Sequence, residues 1–419
     1  MKVVLLSQAD ALGGAARAAF RLHTQLLKSG EDSWMRVAQR LTDDPKVVIS
    51  QSKFSRLTEL LRPRIAGAIM RAQKTKNPVQ HSLACLPSKL SSSPLVKSAD
   101  VVNLHWVGHE FMSIGDIAAI DRPVVWTLHD MWAFCGAEHL SDGLTNARFL
   151  TGYDRGSRPS GHDGLDLDRW IFNRKRKAWT RPQVVVTPSR WLAECAQRSA
   201  LMRDWPIRVV PNPLPVDVYR PLDKFTGRRA FRLPAKAPLV LFGALGGAEN
   251  TIKGADLLWA ALRKLAHLRP DCQAVIVGQS KPAKPPQIGM PLHYVGKLAD
   301  DQSLALLYSA VDVVVIPSRI ENLPQAGTEA QACGTPVVAF DVAGLPDVVA
   351  HQETGFLAKP YDPIEIAEGV AWVLEDTDRL KLLGEQARHR AVSLWAPAAT
   401  LPLYLEAYES AQSLYESGR

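Results

Sequence analysis

The sequence predicts an α/β protein made of two Rossmann-like parallel-sheet domains, and three observations carry that expectation. At 419 residues the chain is too long for one ordinary core and suits two domains of about 200 residues each. Short β-branched runs alternate with helical stretches and glycine-bearing turns, which is the pattern of βαβ units in a parallel sheet. The opening pattern of strand, glycine turn and helix restarts at Pro238, as expected of twin domains facing a cleft.

The elements follow in order. Residues 3–6 read as a strand, 9–15 as a turn bearing Gly13 and Gly14, and 16–29 as a helix ended by Gly30. Gly13 and Gly14 can bring backbone N–H groups close to a phosphate at the helix start, although the same pair suits an ordinary βα turn. The G-x-G-x-x-G fingerprint is absent, which argues against an NAD or FAD enzyme. The first residues contain too short an apolar run for a signal peptide. Residues 54–70 place Leu57, Leu60, Leu61, Ile65, Ile69 and Met70 at roughly helical spacing, with Pro63 expected to kink the helix. Between residues 53 and 97 there are nine Lys or Arg against Glu59 alone, so this segment accounts for the chain's whole net charge of +8. Two readings stay open: residues 53–76 lie on an anionic bilayer, or the apolar residues pack on the domain and the basic ones face water. Nucleic acid is not expected as a partner, because the basic run has no interleaved aromatics and no accompanying motif.

Residues 100–105 and 123–129 are two more buried strands, each ending in histidine, His105 and His129; strand-end residues of an open sheet point at the ligand crevice. Trp106, Trp132 and Phe134 next to them suit either stacking on an acceptor or core packing. Residues 140–178 are polar and basic toward their end, which suggests a functional insertion or a mobile loop. Asp166 and Asp168 form a D-x-D, yet no apolar strand precedes it, and no metal site is expected there. A strand at 184–188, a helix at 190–199 capped by Ser189, and a strand at 207–210 lead into the proline-rich stretch 211–215, a stiff hinge. After the restart come strands at 273–277 and 293–295, each followed by a glycine, Gly278 and Gly296.

Residues 311–340 hold the most informative unit: a buried strand, a polar turn with Glu321, a helix over 324–333 carrying Glu329, a Gly-Thr-Pro stop and a second buried strand. The turn lies at the carboxyl end of a parallel strand and at the positive end of a helix, where open α/β sheets bind anions. A last strand region at 344–356 and helices at 363–374, 378–394 and 396–417 complete the chain. Five scattered cysteines without a C-x-x-C pair suit a reducing cytoplasm, with no zinc site and no disulfide frame.

The E-x7-E spacing of Glu321 and Glu329, together with Asn322-Leu323-Pro324 and the Ala-x-Ala-Cys-Gly-Thr-Pro-Val-Val that ends the unit, resembles the donor-site signature of the retaining GT-B glycosyltransferases of the family 4 type. The resemblance covers nearly the whole chain and is most specific in its second half. It implies two Rossmann-like domains, 1–213 for the acceptor and 214–396 for the nucleotide-sugar donor, with the C-terminal helix 397–419 crossing back to the first domain. It implies that Glu321 lies by the donor sugar and that Glu329 binds the ribose hydroxyls. Lys253, in the family's Lys-Gly, would grip the diphosphate, and His129 would contact the donor sugar and phosphate region, oriented by Asp130. Gly296 falls where the family seats the base, and the amides of Gly13, Gly14, Asn322 and Leu323 are candidates for the departing diphosphate. His105, Trp106 and Asp130 would face the acceptor. One departure stands out: the family pairs its lysine with an arginine five or six positions earlier, and Ala248 and Gly247 stand there. Either Arg190 or Lys297 replaces it, or diphosphate binding is weak.

The implied function is metal-independent, cofactor-free transfer of a sugar from a nucleotide diphosphate sugar to a hydroxyl of a glycan or lipid-linked acceptor, with retention, in bacterial surface polysaccharide assembly in the cytoplasm or on the inner face of the plasma membrane. The alternatives are a nucleotide-sugar epimerase of similar architecture, which needs no acceptor, and a catalytically weak scaffold of an assembly complex.

Overall fold

The computed structural model describes residues 1–141, 147–243 and 251–418. The chain divides into two compact units, Met1–Asn212 with Leu401–Arg419, and Pro213–Thr400. Each holds a parallel sheet flanked by helices, as the sequence pattern predicts.

Unit 1 runs β1 (Lys2–Ala9), α1 (Gly13–Lys28), β2 (Asp32–Gln39), β3 (Val47–Val48), α2 (Lys53–Met70), α3 (Pro94–Lys97), β4 (Val101–Leu104), α4 (Ile114–Ala118), β5 (Val124–Thr127), α5 (Arg148–Thr151), α6 (Leu167–Ala178), β6 (Val184–Thr187), α7 (Arg190–Arg198) and β7 (Ile207–Val209). Among the described residues its strands order β3-β2-β1-β4-β5-β6-β7, all parallel. The order reverses between β1 and β4, so the crevice expected of an open α/β sheet lies at the carboxyl ends of those strands. There the Gln8 N–H donates to the Trp106 carbonyl at 2.9 Å.

Several elements differ from expectation, each for a physical reason. α1 begins at Gly13, because a φ of +85° there lets the glycine pair form the first turn itself. β2 lacks a clean apolar run, since the buried Arg36 donates to the Val37 carbonyl and pairs with Glu59 of α2. Residues 147–178 are ordered around α5 and α6. Lys175 of α6 is fully buried and its ammonium donates to the carbonyls of Trp132, of Cys135 at 3.1 Å and of Gly136 at 2.7 Å. Asp166 caps α6 and pairs with Arg148, while Asp168 accepts from Gln73, so both carboxylates of the D-x-D are engaged within the fold. On α2 the buried residues are Arg62 and Ala66, and the apolar side is outside: Phe54, Leu57 and Leu60 are 76%, 53% and 61% exposed. The reading in which this apolar side packs on the domain is therefore wrong.

Unit 2 continues with α8 (Lys224–Ala230), β8 (Leu239–Gly243), α9 (Ala255–Leu268), β9 (Gln273–Val277), β10 (Leu292–Gly296), α10 (Asp301–Ala310), β11 (Val313–Ile316), α11 (Gln325–Ala332), β12 (Val337–Phe340), α12 (Leu345–Val348), β13 (Gly355–Ala358), α13 (Pro363–Glu375), α14 (Thr377–Trp395) and the start of α15 (Pro397–Ser417). Its described strands order β10-β9-β8-β11-β12-β13, again parallel, with the reversal between β8 and β11. The stretch expected to open as a strand at 344 instead forms α12 before β13, because Gly344-Leu345-Pro346 places proline in a first helical turn. From Leu401 onward α15 belongs to unit 1, where Tyr404, Ala407, Tyr408 and Ala411 join Val3, Leu5 and Val125 in one core. The Tyr408 hydroxyl donates to buried Asn103 of β4 at 2.9 Å.

Candidate functional site

In unit 2 the polar side chains gather where the strand order reverses. β8 ends at Gly243 and β11 at Ile316; the turn after β11 carries Ser318, Arg319 and Glu321. Lys253, just before α9, pairs through its ammonium with Glu321, and the Ser318 hydroxyl donates to the same carboxylate oxygen at 3.0 Å. Lys253 is 44% exposed at its side chain and Glu321 14%, so the cation stands at the surface over a mostly covered acid. Two glycines hold this geometry. Gly254, at φ +69°, lies so near the end of β11 that a Cβ would meet the Pro317 carbonyl oxygen at 1.8 Å. Gly344 donates its N–H to the Glu321 carbonyl at 2.9 Å, and a Cβ on it would stand 1.5 Å from the Asn322 carbonyl oxygen. Arg319 ties the turn to the first turn of α9 through a two-pronged pair with Asp256 at 2.7 and 2.6 Å.

Asn322 and Leu323 are buried before α11. Glu329 sits on that helix at 2% exposure and accepts from the Tyr308 hydroxyl at 3.2 Å. Gly296 ends the edge strand β10, two strands from β8, with φ +82° and its carbonyl accepting from the Gly278 N–H at 2.7 Å. The glycine turn with Gly246 and Gly247, and Ala248 where an arginine is expected, lie outside the described residues. Lys297 is exposed after β10, and Arg190 opens α7 in unit 1. Gly344, Ser318 and Arg319 escape a reading of spacing; the only signal for Gly344 is its place in a Gly-Leu-Pro.

In unit 1, Gly13 and Gly14 form the start of α1, and His105 and His129 follow β4 and β5. His105, expected to face the acceptor, is 3% exposed, and its Nδ1 lies 3.0 Å from Nε2 of His129, the two rings stacked. Burial pushes the His129 pKa down to about 4 against the favourable charge of Asp130, and drives that of His105 well below the usual imidazole range, so both rings are neutral near pH 7. Asp130 is expected to orient His129; its carboxylate engages three other groups. It accepts from the Trp106 indole at 2.7 Å, from the Trp132 N–H at 2.9 Å and from His139 at 2.6 Å. Trp132 and Phe134 are core residues, 2% and 0% exposed, whereas Trp106 is half-buried.

Two open parallel sheets in one chain, with polar groups gathered at the strand reversals, define the class of the GT-B fold. The comparisons with known proteins point the same way. Residues 12–218 match the model described as Glycosyltransferase Family 4, and residues 224–390 match Glycosyl transferases group 1. The solved sucrose-phosphate synthase from Thermosynechococcus elongatus superposes with a TM-score of 0.65 at 19% identity, covering 98% of each chain. Anabaena HepE in complex with UDP-glucose gives 0.62 at 18% identity, covering 98% of this chain and 100% of that one. A D-inositol 3-phosphate glycosyltransferase 2 of Catenulispora acidiphila is 34% identical over 256 residues, 55% of this chain and 59% of the relative. The chain spans about half the length of the curated relatives it matches, 41% and 58% for two others of that name. The chain belongs to the GT-B glycosyltransferases of the family 4 type.

Proposed function

We propose that the protein transfers a sugar from a nucleotide diphosphate sugar to a hydroxyl acceptor, with retention. The observation that carries this reading is the Lys253–Glu321 pair at the strand reversal of unit 2, with Glu329 on the helix that follows. Such transfer creates an oxocarbenium-like sugar and a departing diphosphate. A cation and helix-end amides fixed in place neutralise that diphosphate as its charge develops. Lys253 serves as the cation and the amides of Asn322 and Leu323 as donors. Arrival of the diphosphate draws the Lys253 ammonium from Glu321, which frees the carboxylate for the sugar. Glu329 takes the ribose hydroxyls and Gly296 flanks the base. His129, whose pKa desolvation lowers to about 4, is a neutral hydrogen-bonding group at the strand ends of unit 1. The departing phosphate takes the acceptor proton, so no protein base is needed, and neither a metal nor a cofactor has a part. UDP-sugars are the first donors to try, since HepE, which has the same fold, is known in complex with UDP-glucose. The acceptor is a glycan or a lipid-linked hydroxyl compound of a bacterial cell envelope, met at a membrane surface through α2.

The test is thermal unfolding of the full chain with UDP, GDP, ADP and their sugar conjugates, with and without chelator. A ligand at a hundred times its dissociation constant stabilises by about 2.7 kcal/mol. The expected result is a base-selective, chelator-insensitive rise in Tm that Lys253→Ala abolishes. No rise with any nucleotide would overturn the donor site.

A further inference from the structure

Unit 1 contains a hydrogen-bonded line of three side chains with no part in the transfer proposed above. The Ser82 hydroxyl lies 2.8 Å from Nε2 of His139, and Nδ1 of His139 lies 2.6 Å from the Asp130 carboxylate. We infer that Ser82, His139 and Asp130 form a second catalytic site, which hydrolyses carboxylic esters. Such chemistry needs a nucleophile, a base within hydrogen-bond reach and a third group that orients the base, whatever their order in the chain. The inference stands apart from the donor site of unit 2.

Each member of the line is held in one role. Asp130 accepts from the Trp106 indole at 2.7 Å and from the Trp132 N–H at 2.9 Å as well as from His139. Burial works to raise its pKa, yet the facing imidazole and these hydrogen bonds outweigh burial and hold the carboxyl below its usual range. The ionised carboxylate takes the proton-bearing Nδ1 of His139, which leaves Nε2 to accept from the Ser82 hydroxyl. The His109 N–H donates to the Ser82 oxygen at 3.3 Å, so that oxygen accepts one hydrogen bond and gives its own proton to His139. Trp132 stacks on the imidazole with ring centroids 6.2 Å apart, and His139 is buried.

The backbone after Ser82 supplies a donor for an oxyanion. Ser82 gives its own N–H to the Ala137 carbonyl at 2.8 Å, and Ala84, Cys85 and Leu86 give theirs to the Glu110 carboxylate at 2.6, 3.1 and 3.4 Å. Leu83 lies between them, fully buried, and among the described residues its N–H has no acceptor. A buried N–H without a partner is rare and costs as much as a lost hydrogen bond. This one follows the nucleophile directly in the chain, a place from which a backbone N–H serves an acyl-transfer oxyanion.

Ser82 lines a cavity of about 540 Å³, a volume in the range of small-molecule sites. The lining includes apolar Pro63, Ala66, Met70 and Val79, which suit an acyl chain, and Asn77 and His109, which suit a polar alcohol. The substrate class is therefore a carboxylic ester of a short acyl chain with a polar alcohol. In the first step the Ser82 oxygen bonds to the ester carbonyl carbon as its proton passes to Nε2 of His139, and the carbonyl oxygen takes its negative charge against the Leu83 N–H. The bond from that carbon to the alcohol oxygen then breaks, and the alcohol leaves with the proton from Nε2. Water attacks the acyl group on Ser82 in the same way, gives a proton to Nε2, and that proton returns to the Ser82 oxygen as the carboxylic acid departs. Ester and water become acid and alcohol, with no other reactant.

The experiment treats the full chain with a fluorophosphonate probe, maps the adduct by mass spectrometry, and follows hydrolysis of p-nitrophenyl butyrate. The expected result is an adduct on Ser82, and hydrolysis that Ser82→Ala and His139→Gln each lower about a hundredfold or more. Asp130 is a positioning residue here, so Asp130→Asn should lower kcat for the ester about tenfold or more while KM stays within about twofold. Urea midpoints of the variants separate lost chemistry from lost folding, and the adduct on the unaltered chain needs no variant. No adduct on Ser82, or hydrolysis that Ser82→Ala leaves unchanged, overturns the inference, and so does an unchanged kcat in Asp130→Asn.

Discussion

Burial sets the charge of the histidines at the strand ends, and that choice couples stability to pH. His129 and His23 are pushed down to about 4, and His105 well below the usual imidazole range, each chiefly by loss of hydration. An unfolded chain binds protons at these rings from about pH 6.5 downward, while the folded chain does not until about pH 4. The unfolded state therefore binds more protons in that window, so stability rises with pH across it and falls as pH is lowered. Urea midpoints measured between pH 7 and about pH 4 should decline steadily, and His23→Gln should flatten the slope, because that imidazole no longer titrates. At this scale a motif singles out Lys253, Glu321 and Glu329, and of these Lys253 and Glu321 meet in the fold. The sequence was not legible where a partner lies far along the chain. Ser82 and His139 meet across 57 positions, and Gly344 matters only because the Asn322 carbonyl passes so close.

The elements differ in how far their own residues decide their surroundings. The strands β4, β5, β6, β11 and β12 are buried on both faces and rich in β-branched residues, so they were plain. β2 was hidden because Ser33 and Arg36 are buried within it, their burial permitted by His23 and Glu59 from two helices. α6 was hidden for the same reason: the run Arg174-Lys175-Arg176-Lys177 looks like a solvated face until the carbonyls of residues 132–136 claim Lys175. For α2 the periodicity gave the helix and left open which side faces out. With Phe54, Leu57, Leu60, Leu61 and Ile65 exposed among basic residues, α2 suits an anionic bilayer. Replacing Phe54, Leu57 and Leu60 together by serine should lower co-sedimentation with phosphatidylglycerol vesicles about tenfold or more while leaving the urea midpoint nearly unchanged, since little packing is lost. Equal co-sedimentation of the two proteins would remove membrane contact from the function. Among the described residues no helix is long and apolar enough to cross a membrane.

At the scale of the molecule, the chain leaves unit 1 at Asn212, builds unit 2, and returns at Leu401. The returning segment fills a core rather than decorating a surface: Tyr404 and Tyr408 are 1% and 0% exposed. Ending the chain at Thr400 should therefore destabilise unit 1 by several kcal/mol, as deletion of large buried aromatics does at about 3–5 kcal/mol each, and leave unit 2 intact. Limited proteolysis with fragment mapping reads this directly: fragments of residues 213–400 should persist and those of 1–212 should disappear. Survival of both would mean that the returning segment is dispensable. The twofold repetition of strand, turn and helix made the two-unit plan legible, whereas the ownership of α15 came with the resemblance, because its mixed Leu-Tyr pattern names no destination.

That return also fixes an order of events during synthesis. The N-terminal domain of a multidomain chain commonly folds first, as it leaves the ribosome. Here unit 1 emerges first and cannot finish, since the slot around Asn103 stays unfilled while nearly two hundred further residues are made. Unit 2 has no such debt to later sequence. The half made second is the half able to fold first, and until Tyr408 arrives a growing chain carries an open apolar seam for a chaperone to guard.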